Sequence, residues 1–532
     1  MKPMKRYIAL ILALCLCGAL FGCSRREEEE SYTFRAAISG VPATLDPAMV
    51  TSAAEKTAVA HLFENLMKLS GDSAVSGVAR SYTCTDNEDG TQTYVFTLRD
   101  DVRWSDGAAV KAEDFVFAWQ RLLDPELGSP NASILNTVKG YAETLAGDPE
   151  ALQVWADEDG KLVVVLSEPD PYFLNAVCTS VYTMPVRRSA VEKENWSMSK
   201  STLLTDGAYG LRQWSDGTMI LVEVENYYDT KRLGPEQLEL TFTTTEAEAL
   251  ALYNEGKVDF ASGVDFAEGS TMVTLPSVGV VIVNQMAGMV AQESVRRAMS
   301  MVIDRNALAD ELGPNYVAAE GIVPEGIHTL AGTHFRQTNG AVVDNNPENR
   351  EANVAAAREL LRQGGITAAW LLGKITLVYE STSVGTRTAA RLQKQWKEEL
   401  NIDVTLQPAA AGQLPQVLAQ GEFTMALVTL TTDRNEADSL LRAWESNDPR
   451  NYGQYYSSAY ELLLSVAAKS TNVEAHDAYL EDAERLLVES GYAMPLYMGT
   501  TSYILRSDIV GLFDDGLGVF YFNGVSRAPA VT

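Results

Sequence analysis

The chain has 532 residues, 46% of them hydrophobic, and a formal net charge of −29 from 71 acidic and 42 basic side chains. A length well beyond ~300 residues predicts more than one domain, because single hydrophobic cores rarely grow larger. The ordinary globular composition excludes wholesale disorder. So large a negative charge repels phosphate backbones and anionic lipid surfaces. Nucleic-acid binding is therefore disfavoured, and any membrane attachment needs another device.

The N-terminus supplies such a device. Lys2, Lys5 and Arg6 precede an apolar run over residues 7–21, a pattern typical of a secretory signal peptide and too short for a transmembrane helix. The stretch LFGC at 20–23 resembles a bacterial lipobox, which implies that Cys23 is lipidated. We therefore expect a lipoprotein signal peptide over 1–22 and a solvated tether over 23–31. An ordinary signal peptide with an incidental Cys is the alternative.

Further along, the hydrophobic pattern alternates between strands and helices. Period-two alternation and β-branched runs predict strands at 93–98, 161–166, 218–224 and 402–406. A period near 3.6 predicts helices over 292–311, around 354–361 with a stop at Gly364-Gly365, and over 386–400. Because the last of these helices leads directly into a strand, the pattern favours layered α/β structure.

The cysteines and histidines indicate no catalytic or metal chemistry. Once the signal peptide is removed and Cys23 is lipidated, only Cys84 and Cys178 remain, without CxxC spacing. An exported compartment permits a disulfide between them, and two separate buried thiols are the alternative. Motif searches find neither a G-x-S-x-G nucleophile turn nor a phosphate-binding glycine loop. None of the four histidines lies near a Ser or Cys motif, and we expect surface loops for His328 and His334. We expect a protein that is not an enzyme and has no metal or cofactor.

Five sequence blocks occur in order along the chain. They are TLDP at 44–47 with HLFENL at 61–66, YVFTLRDDVRWSDGAAVKAEDFVFAWQRLLDP at 94–125, TDGAYG at 205–210, VRRAMSMVIDR at 295–305, and LQKQWKEELNIDVTL at 392–406 with MPLY at 494–497. Together these blocks resemble the extracellular solute-binding proteins, family 5, which serve peptide ABC transporters and include oligopeptide-, dipeptide- and nickel-binding proteins. Any one block is weak, but all five keep the family order over ~460 residues.

The resemblance implies an α/β chain with a two-lobed periplasmic-binding-protein-like fold (type II, cluster C). It also implies an extra domain on the first lobe and a ligand cleft between the lobes. The expected divisions after the tether are lobe I at 32–63, the extra domain II at 64–186, lobe I again at 187–283, lobe III at 284–496, and the C-terminal part of lobe I at 497–532.

The resemblance also implies ligand contacts. In peptide-binding members an Asp on the second lobe pairs with the peptide's α-ammonium group, and TDRNEADSLL at 432–441 places Asp433 at that position. The backbones of Thr51, Ser52, Ala53 and Thr431 match segments that pair with the peptide like an added strand. A helix cap or loop acid is the alternative reading for Asp433.

Two further positions are candidate ligand contacts, and two others differ in residue type from the oligopeptide receptors. Asn131 stands where oligopeptide receptors carry a ligand-contacting aromatic residue. Tyr497 is placed to line the cleft, with core packing as the alternative. Leu427 and Leu430 replace a basic residue and an aromatic residue of those receptors. A Leu holds no carboxylate by charge, so the peptide length and the recognition of its C-terminus are left open.

The leading expectation is a lipid-anchored, monomeric substrate-binding component of an ABC importer. It would capture oligopeptides outside the cytoplasmic membrane, or on its periplasmic side, and deliver them to the permease. A receptor for a metal chelate or glycan, and a receptor for a peptide signal, are alternatives on the same fold. A secreted hydrolase on an unrelated scaffold is a further alternative, which the missing catalytic motifs disfavour.

Overall fold

A computed structural model describes residues 32–70, 73–215, 217–229, 234–264, 267–470 and 472–528. The predicted signal peptide at 1–22, the tether at 23–31 and the lipidated Cys23 lie outside the described residues. Within the described ranges, no helix is both long enough and apolar enough to cross a membrane.

The strands belong to one large sheet and several smaller ones. In chain order they are β1 (Thr33–Ser39), β2 (Met67–Ser70), β3 (Ser73–Ser76), β4 (Ala79–Asp86), β5 (Gln92–Leu98), β6 (Val154–Ala156), β7 (Leu162–Leu166), β8 (Tyr209–Ser215), β9 (Thr218–Glu223), β10 (Gln237–Thr243), β11 (Phe260–Ser262), β12 (Thr271–Val283), β13 (Tyr316–Ala318), β14 (Ile375–Glu380), β15 (Val404–Ala409), β16 (Met425–Thr431), β17 (Ala493–Leu505), β18 (Ile509–Val510), β19 (Phe513–Asp514), β20 (Phe520–Tyr521) and β21 (Ser526–Arg527). The large sheet has the order β15-β14-β16-β12-β17-β11-β1-β10-β9-β8, with β13 paired to β17.

The helices cover both parts of this sheet. Over the described residues the α-helices are α1 (Ala53–Leu62), α2 (Ala112–Leu122), α3 (Tyr141–Leu145), α4 (Arg188–Val191), α5 (Glu246–Asn254), α6 (Glu293–Met301), α7 (Arg305–Leu312), α8 (Phe335–Asn339), α9 (Arg350–Gln363), α10 (Ser383–Leu400), α11 (Leu414–Ala419), α12 (Asp438–Leu441), α13 (Ser458–Lys469) and α14 (Val473–Glu489). The caps follow local chemistry. The Thr382 hydroxyl accepts a hydrogen bond from the Gly385 N–H at the start of α10, and that helix ends at Asn401 in the left-handed conformation.

The buried apolar residues separate into two lobes. One large cluster is built from residues within 34–260 and 509–525, whereas two others are built from residues within 278–498 and 281–497. The C-terminal segment therefore packs with the N-terminal part of the chain. The domain boundaries expected from the sequence stay predictions.

Two thirteen-residue strands, β12 and β17, run through both lobes. At one end β12 pairs with β16, and at the other end β17 pairs with β11. The ladder between β12 and β17 shifts register between Thr274 and Val278, a stretch that contains Pro276, and again beside Pro495. Proline has no N–H to donate, so these are the points where the ladder is weakest.

The first lobe carries an extra four-stranded sheet, ordered β4-β5-β7-β6. Tyr94 and Phe96 alternate inward from β5, and the Tyr94 ring packs on Phe173 with a centroid distance of 4.8 Å. Two of the sequence blocks meet nearby, because both carboxylate oxygens of Asp46 pair with the Arg121 guanidinium, at 2.9 and 2.6 Å. Such bidentate pairs fix orientation as well as distance, which accounts for these residues structurally.

Two sequence predictions need correction. The helix expected over 292–311 is two helices, α6 and α7, because the Asp304 carboxylate caps the second by accepting a hydrogen bond from the Ala307 N–H at 3.0 Å. The disulfide considered for Cys84 and Cys178 is absent, and both are free thiols. Cys178 is buried, which raises its pKa well above the usual value, whereas Cys84 is exposed on β4. The alternative of two buried thiols is therefore right only for Cys178.

Candidate functional site

Asp433 lies where the two lobes meet, in the loop that follows β16. Its carboxylate accepts a hydrogen bond from the Tyr182 hydroxyl at 2.9 Å, and the Lys56 ammonium lies 3.5 Å from the same oxygen. Lys56 is on α1 and Tyr182 is in the extra domain, so three distant chain segments converge here. The side chain of Asp433 is 45% exposed and that of Lys56 14% exposed. The Asp433 carboxylate thus faces an open cleft while holding an ammonium group.

The loop around Asp433 is fixed by its neighbours. The Thr432 N–H donates to the Pro276 carbonyl at 3.1 Å, next to the weak point in β12. The Asn435 side chain accepts from the His328 N–H and donates to the Asp515 carbonyl, each at 2.8 Å. Asp433 is therefore held in place by bonds to both lobes.

Arg434 makes a second connection between the lobes. Its guanidinium donates to the Asp170 carboxylate of the extra domain at 2.9 Å and also pairs with Glu436. Burial disfavours the charge of Arg434, but the carboxylates of Glu436 and Asp170 outweigh it, so the pKa of Arg434 is raised. Burial also raises the pKa of Glu436 well above its usual value. We call the Arg434–Asp170 ion pair the interlobe latch.

A small cavity of about 60 Å³ opens beside Asp433. Its lining combines charged and polar groups with apolar side chains such as Leu69, Val181 and Phe513. Burial and the Asp433 carboxylate raise the pKa of Tyr182, so its hydroxyl stays protonated and acts as a donor. The cavity is a mixed environment that suits a charged group attached to an apolar body.

Asp515 also lines this cavity and is buried. One of its oxygens accepts hydrogen bonds from the N–H groups of Leu517 at 2.8 Å and Val519 at 3.0 Å. Burial raises the pKa of Asp515 to about 6, although these hydrogen bonds and the charge of Lys56 lower it. The site therefore contains one cation between two carboxylates.

The predicted backbone contacts at Thr51, Ser52 and Ala53 lie at the start of α1. Ser52 caps the helix, and the Glu55 carboxylate accepts the N–H groups of Thr51 at 2.8 Å and Ser52 at 2.9 Å. Burial raises the pKa of Glu55, but the hydrogen bonds at Ser52 and Thr51 outweigh it and leave that pKa lowered. These two N–H groups are therefore already used, and the Ser52 carbonyl accepts the Lys56 N–H at 3.0 Å, so the pairing of this segment with a ligand strand stays a prediction.

Asn131 is buried behind this segment. Its amide donates to the carbonyls of Ala48 at 3.2 Å and Val50 at 2.8 Å. The side chain therefore supports the turn that leads to Thr51, and it is absent from the lining of the small cavity. Its predicted contact with a ligand stays a prediction.

A larger open pocket of about 870 Å³ lies at the carboxyl ends of parallel strands from both lobes. Its lining includes Ser39, Thr244, Glu380, Thr429, Tyr497 and Thr500. Since β16 contributes residues 427–429 to this pocket and leads through Thr431 to Asp433, it connects the two spaces. Among the described residues, β14 pairs with β16 only at positions 425–427, so the remaining edge of β16 is open on that side.

Tyr497 is buried at the base of the larger pocket. Its ring lies against Gly279, where an added Cβ would come within 2.4 Å of the ring carbon Cζ. Leu427, which replaces a basic residue of the oligopeptide receptors, lines the same pocket and is buried. Leu427 and Tyr497 therefore bring no charge to a pocket whose lining also includes Glu380 and Thr429.

Sequence reasoning missed Lys56, Tyr182 and Asp515. Lys56 is 377 residues from Asp433 along the chain, so no local pattern links the two. The nearest sequence signal is that Lys56 follows the Ser52 cap by one helical turn. It is therefore close to the segment that was predicted to contact a ligand. Among the residues that the structure describes, no group of three or more His, Cys, Asp or Glu side chains is arranged to hold a metal ion.

Two lobes that share a sheet, with charged groups of both lobes at their junction, define a binding protein of the kind that closes over a solute. The chain belongs to the bacterial extracellular solute-binding proteins, family 5, since the model described as "Bacterial extracellular solute-binding proteins, family 5 Middle" matches residues 73–452. Members of this family are extracellular or periplasmic binding proteins rather than enzymes.

Individual relatives agree with this family assignment. The periplasmic oligopeptide-binding protein OppA of Escherichia coli is 28% identical, with 88% of this chain and 87% of OppA covered. The probable deoxycholate-binding periplasmic protein YgiS of the same organism is 26% identical, with 88% of each chain covered. The unliganded open form of the murein tripeptide-binding protein MppA superposes with a TM-score of 0.79 at 25% identity, covering 94% of this chain and 98% of MppA. These matches confirm the predicted two-lobed fold.

Proposed function

We propose that this protein is the lipid-anchored substrate-binding component of an ABC importer, and that it captures oligopeptides and delivers them to the permease. The observation that carries the proposal is the Asp433 carboxylate, which faces the cleft and pairs with an ammonium group at 3.5 Å. A peptide's N-terminus is the same chemical group.

The surroundings of Asp433 fit the rest of a peptide. An N-terminus at Asp433 directs the following residues along the open edge of β16, toward the pocket of about 870 Å³. Main-chain hydrogen bonds along such an edge hold a peptide without reading its side chains. The uncharged side chain of Leu427 in this lining favours short peptides with apolar side chains.

The test uses alanine peptides of two to six residues and isothermal titration calorimetry. A charged hydrogen bond contributes about 1.5–3 kcal/mol, and the partial exposure of Asp433 favours the lower end, so we expect Asp433→Asn to weaken binding about tenfold. Asp403→Asn is the matched control, because Asp403 is an exposed acid on the loop between α10 and β15. Equal affinities for the wild type and Asp433→Asn, or no binding of any peptide, would contradict the proposal.

A non-peptide solute is the second candidate, favoured by the similarity to a probable deoxycholate-binding protein and by the apolar Leu427 and Leu430. Deoxycholate has a carboxylate and no ammonium group. Its affinity should therefore be unchanged or increased by Asp433→Asn, which separates the two candidates. The lipid anchor rests on the LFGC stretch, and Cys23→Ser should move the chain from the membrane fraction to the medium or periplasm.

A further inference from the structure

Lys56 occupies the position beside Asp433 at which the proposed function requires the ammonium group of a peptide. Its ammonium group is 3.5 Å from Asp433 and 5.3 Å from the centre of the Tyr182 ring. Under the proposed function, on which this inference rests, a peptide ammonium binds the same carboxylate. Two ammonium groups at one partly enclosed carboxylate repel each other and leave one positive charge uncompensated.

A second carboxylate is within reach of Lys56. Asp515 lines the same cavity, and its charge acts on both Lys56 and Tyr182. It is buried and held by the N–H groups of Leu517 and Val519, so it is a fixed acceptor, whereas the Lys side chain is a flexible stem with a mobile charge. With two cations and two acids, every charge in the occupied site has a partner.

We propose that Lys56 is a specificity-determining residue that occupies Asp433 in the empty receptor and transfers to Asp515 when a peptide ammonium binds. The peptide must then displace a resident cation, so Lys56 sets how strongly a free N-terminus is selected. A ligand without an ammonium group leaves Lys56 on Asp433 and gains nothing from this exchange.

The exchange also predicts a proton release. The charged and titratable groups around Asp515 in this cavity are Lys56 from α1, Tyr182 from the extra domain, Asp433 from the loop after β16, the adjacent Asp514, Tyr521 from β20, and His328, whose ring contacts the Asn435 amide that donates to the Asp515 carbonyl. With a pKa of about 6, Asp515 is half protonated near pH 6 in the empty site. When the Lys56 ammonium approaches, it lowers that pKa, so the carboxyl group releases its proton as the peptide binds.

The first experiment compares the tightest-binding alanine peptide of two to six residues with its N-acetylated form on three proteins. We expect Lys56→Met to bind the free peptide about three- to fivefold more tightly than the wild type, the size of a partly exposed ion pair. The N-acetylated form should change little. Lys56→Arg keeps the charge and should behave like the wild type. Lys56→Gln is a second neutral variant, should Lys56→Met fold poorly.

The direction in which the neutral variants change the affinity for the free peptide tests the exchange. If both neutral variants bind the free peptide more weakly than the wild type or equally well, Lys56 stays beside Asp433 when the peptide binds. That result would overturn the exchange and leave the proposed function intact. Failure of every alanine peptide to bind the wild type would refute the proposed function, and this inference with it.

The second experiment measures the proton directly. Calorimetry of the free peptide at pH 6, in buffers of different ionisation enthalpy, should show release of up to about half a proton by the wild type, because Asp515 is half protonated at that pH. Asp515→Asn keeps the acceptor oxygen for Leu517 and Val519 and cannot titrate, so the release should disappear. Release of the same size from Asp515→Asn would overturn the assignment of Asp515 as the second partner.

Discussion

His61 joins α1 to the C-terminal segment, and its protonation should destabilise the protein in acid. The ring is buried, with Nδ1 donating to the Thr57 carbonyl at 2.7 Å and Nε2 accepting the Phe522 N–H at 2.8 Å. It also stacks on the Phe522 ring with a centroid distance of 5.2 Å. Both nitrogens are engaged in the neutral form, so a second ring proton would break the bond to Phe522.

The size of this loss of stability follows from the pKa of His61. Burial lowers the pKa of His61 from 6.5 to about 4. Between these values the unfolded chain binds a proton that the folded chain does not, so stability falls as the pH decreases from 6.5 to about 4. At ~1.36 kcal/mol per pKa unit, the loss amounts to about 3 kcal/mol.

The measurement is urea unfolding of the wild type and His61→Gln from pH 7 to pH 4. The Gln side chain keeps an acceptor for Phe522, so we expect the variant to be about 1 kcal/mol less stable at pH 7. This deficit should reverse near pH 4, because the variant has no histidine to protonate. His334→Gln, in a loop, is the matched control and should follow the wild type. A constant difference between wild type and His61→Gln across the pH range would refute the reasoning.

Two more predictions concern the cleft. Asp170→Asn removes one charge of the interlobe latch but leaves Arg434 its other acidic neighbours, so we expect the free energy of unfolding to fall by ~1–2 kcal/mol. Urea unfolding checks this, and an unchanged free energy of unfolding would rule out a stabilising latch. Gly279→Ala should displace the Tyr497 ring and cost about 1–3 kcal/mol of unfolding free energy, as overpacked sites do. Thermal melting checks this, with Gly373→Ala, in a left-handed turn with open space around it, as a control for backbone strain alone.

Local patterns were enough to find many elements. Alternating apolar residues placed β5, and β-branched runs bounded by glycine placed β7 and β9, each within a residue or two of its observed ends. The same reasoning joined α6 and α7 wrongly, since Asp304 reads as one more polar position and its role as a cap depends on backbone geometry.

The site was only partly accessible from the sequence. Resemblance located Asp433, and the structure places it at the interlobe cavity. Lys56 and Asp515 could not be found, because their meeting depends on how segments from opposite ends of the chain fold onto one lobe. Asn131 illustrates the converse. The resemblance places it at a family ligand position, which stays a prediction, and its amide donates to the Ala48 and Val50 carbonyls, a structural use that no single sequence reveals.

The weak point in the two shared strands has a consequence for the order of events during capture. Each strand is ~43 Å long, so the lobes move by bending this ribbon, and bending is easiest where Pro276 interrupts the ladder. The loop that carries Asp433 is tied to the Pro276 carbonyl through Thr432. A group close to the hinge moves little when the lobes close. Under the proposed function, Asp433 therefore offers an incoming peptide a contact that moves little, and the peptide beyond its first residue is enclosed afterwards.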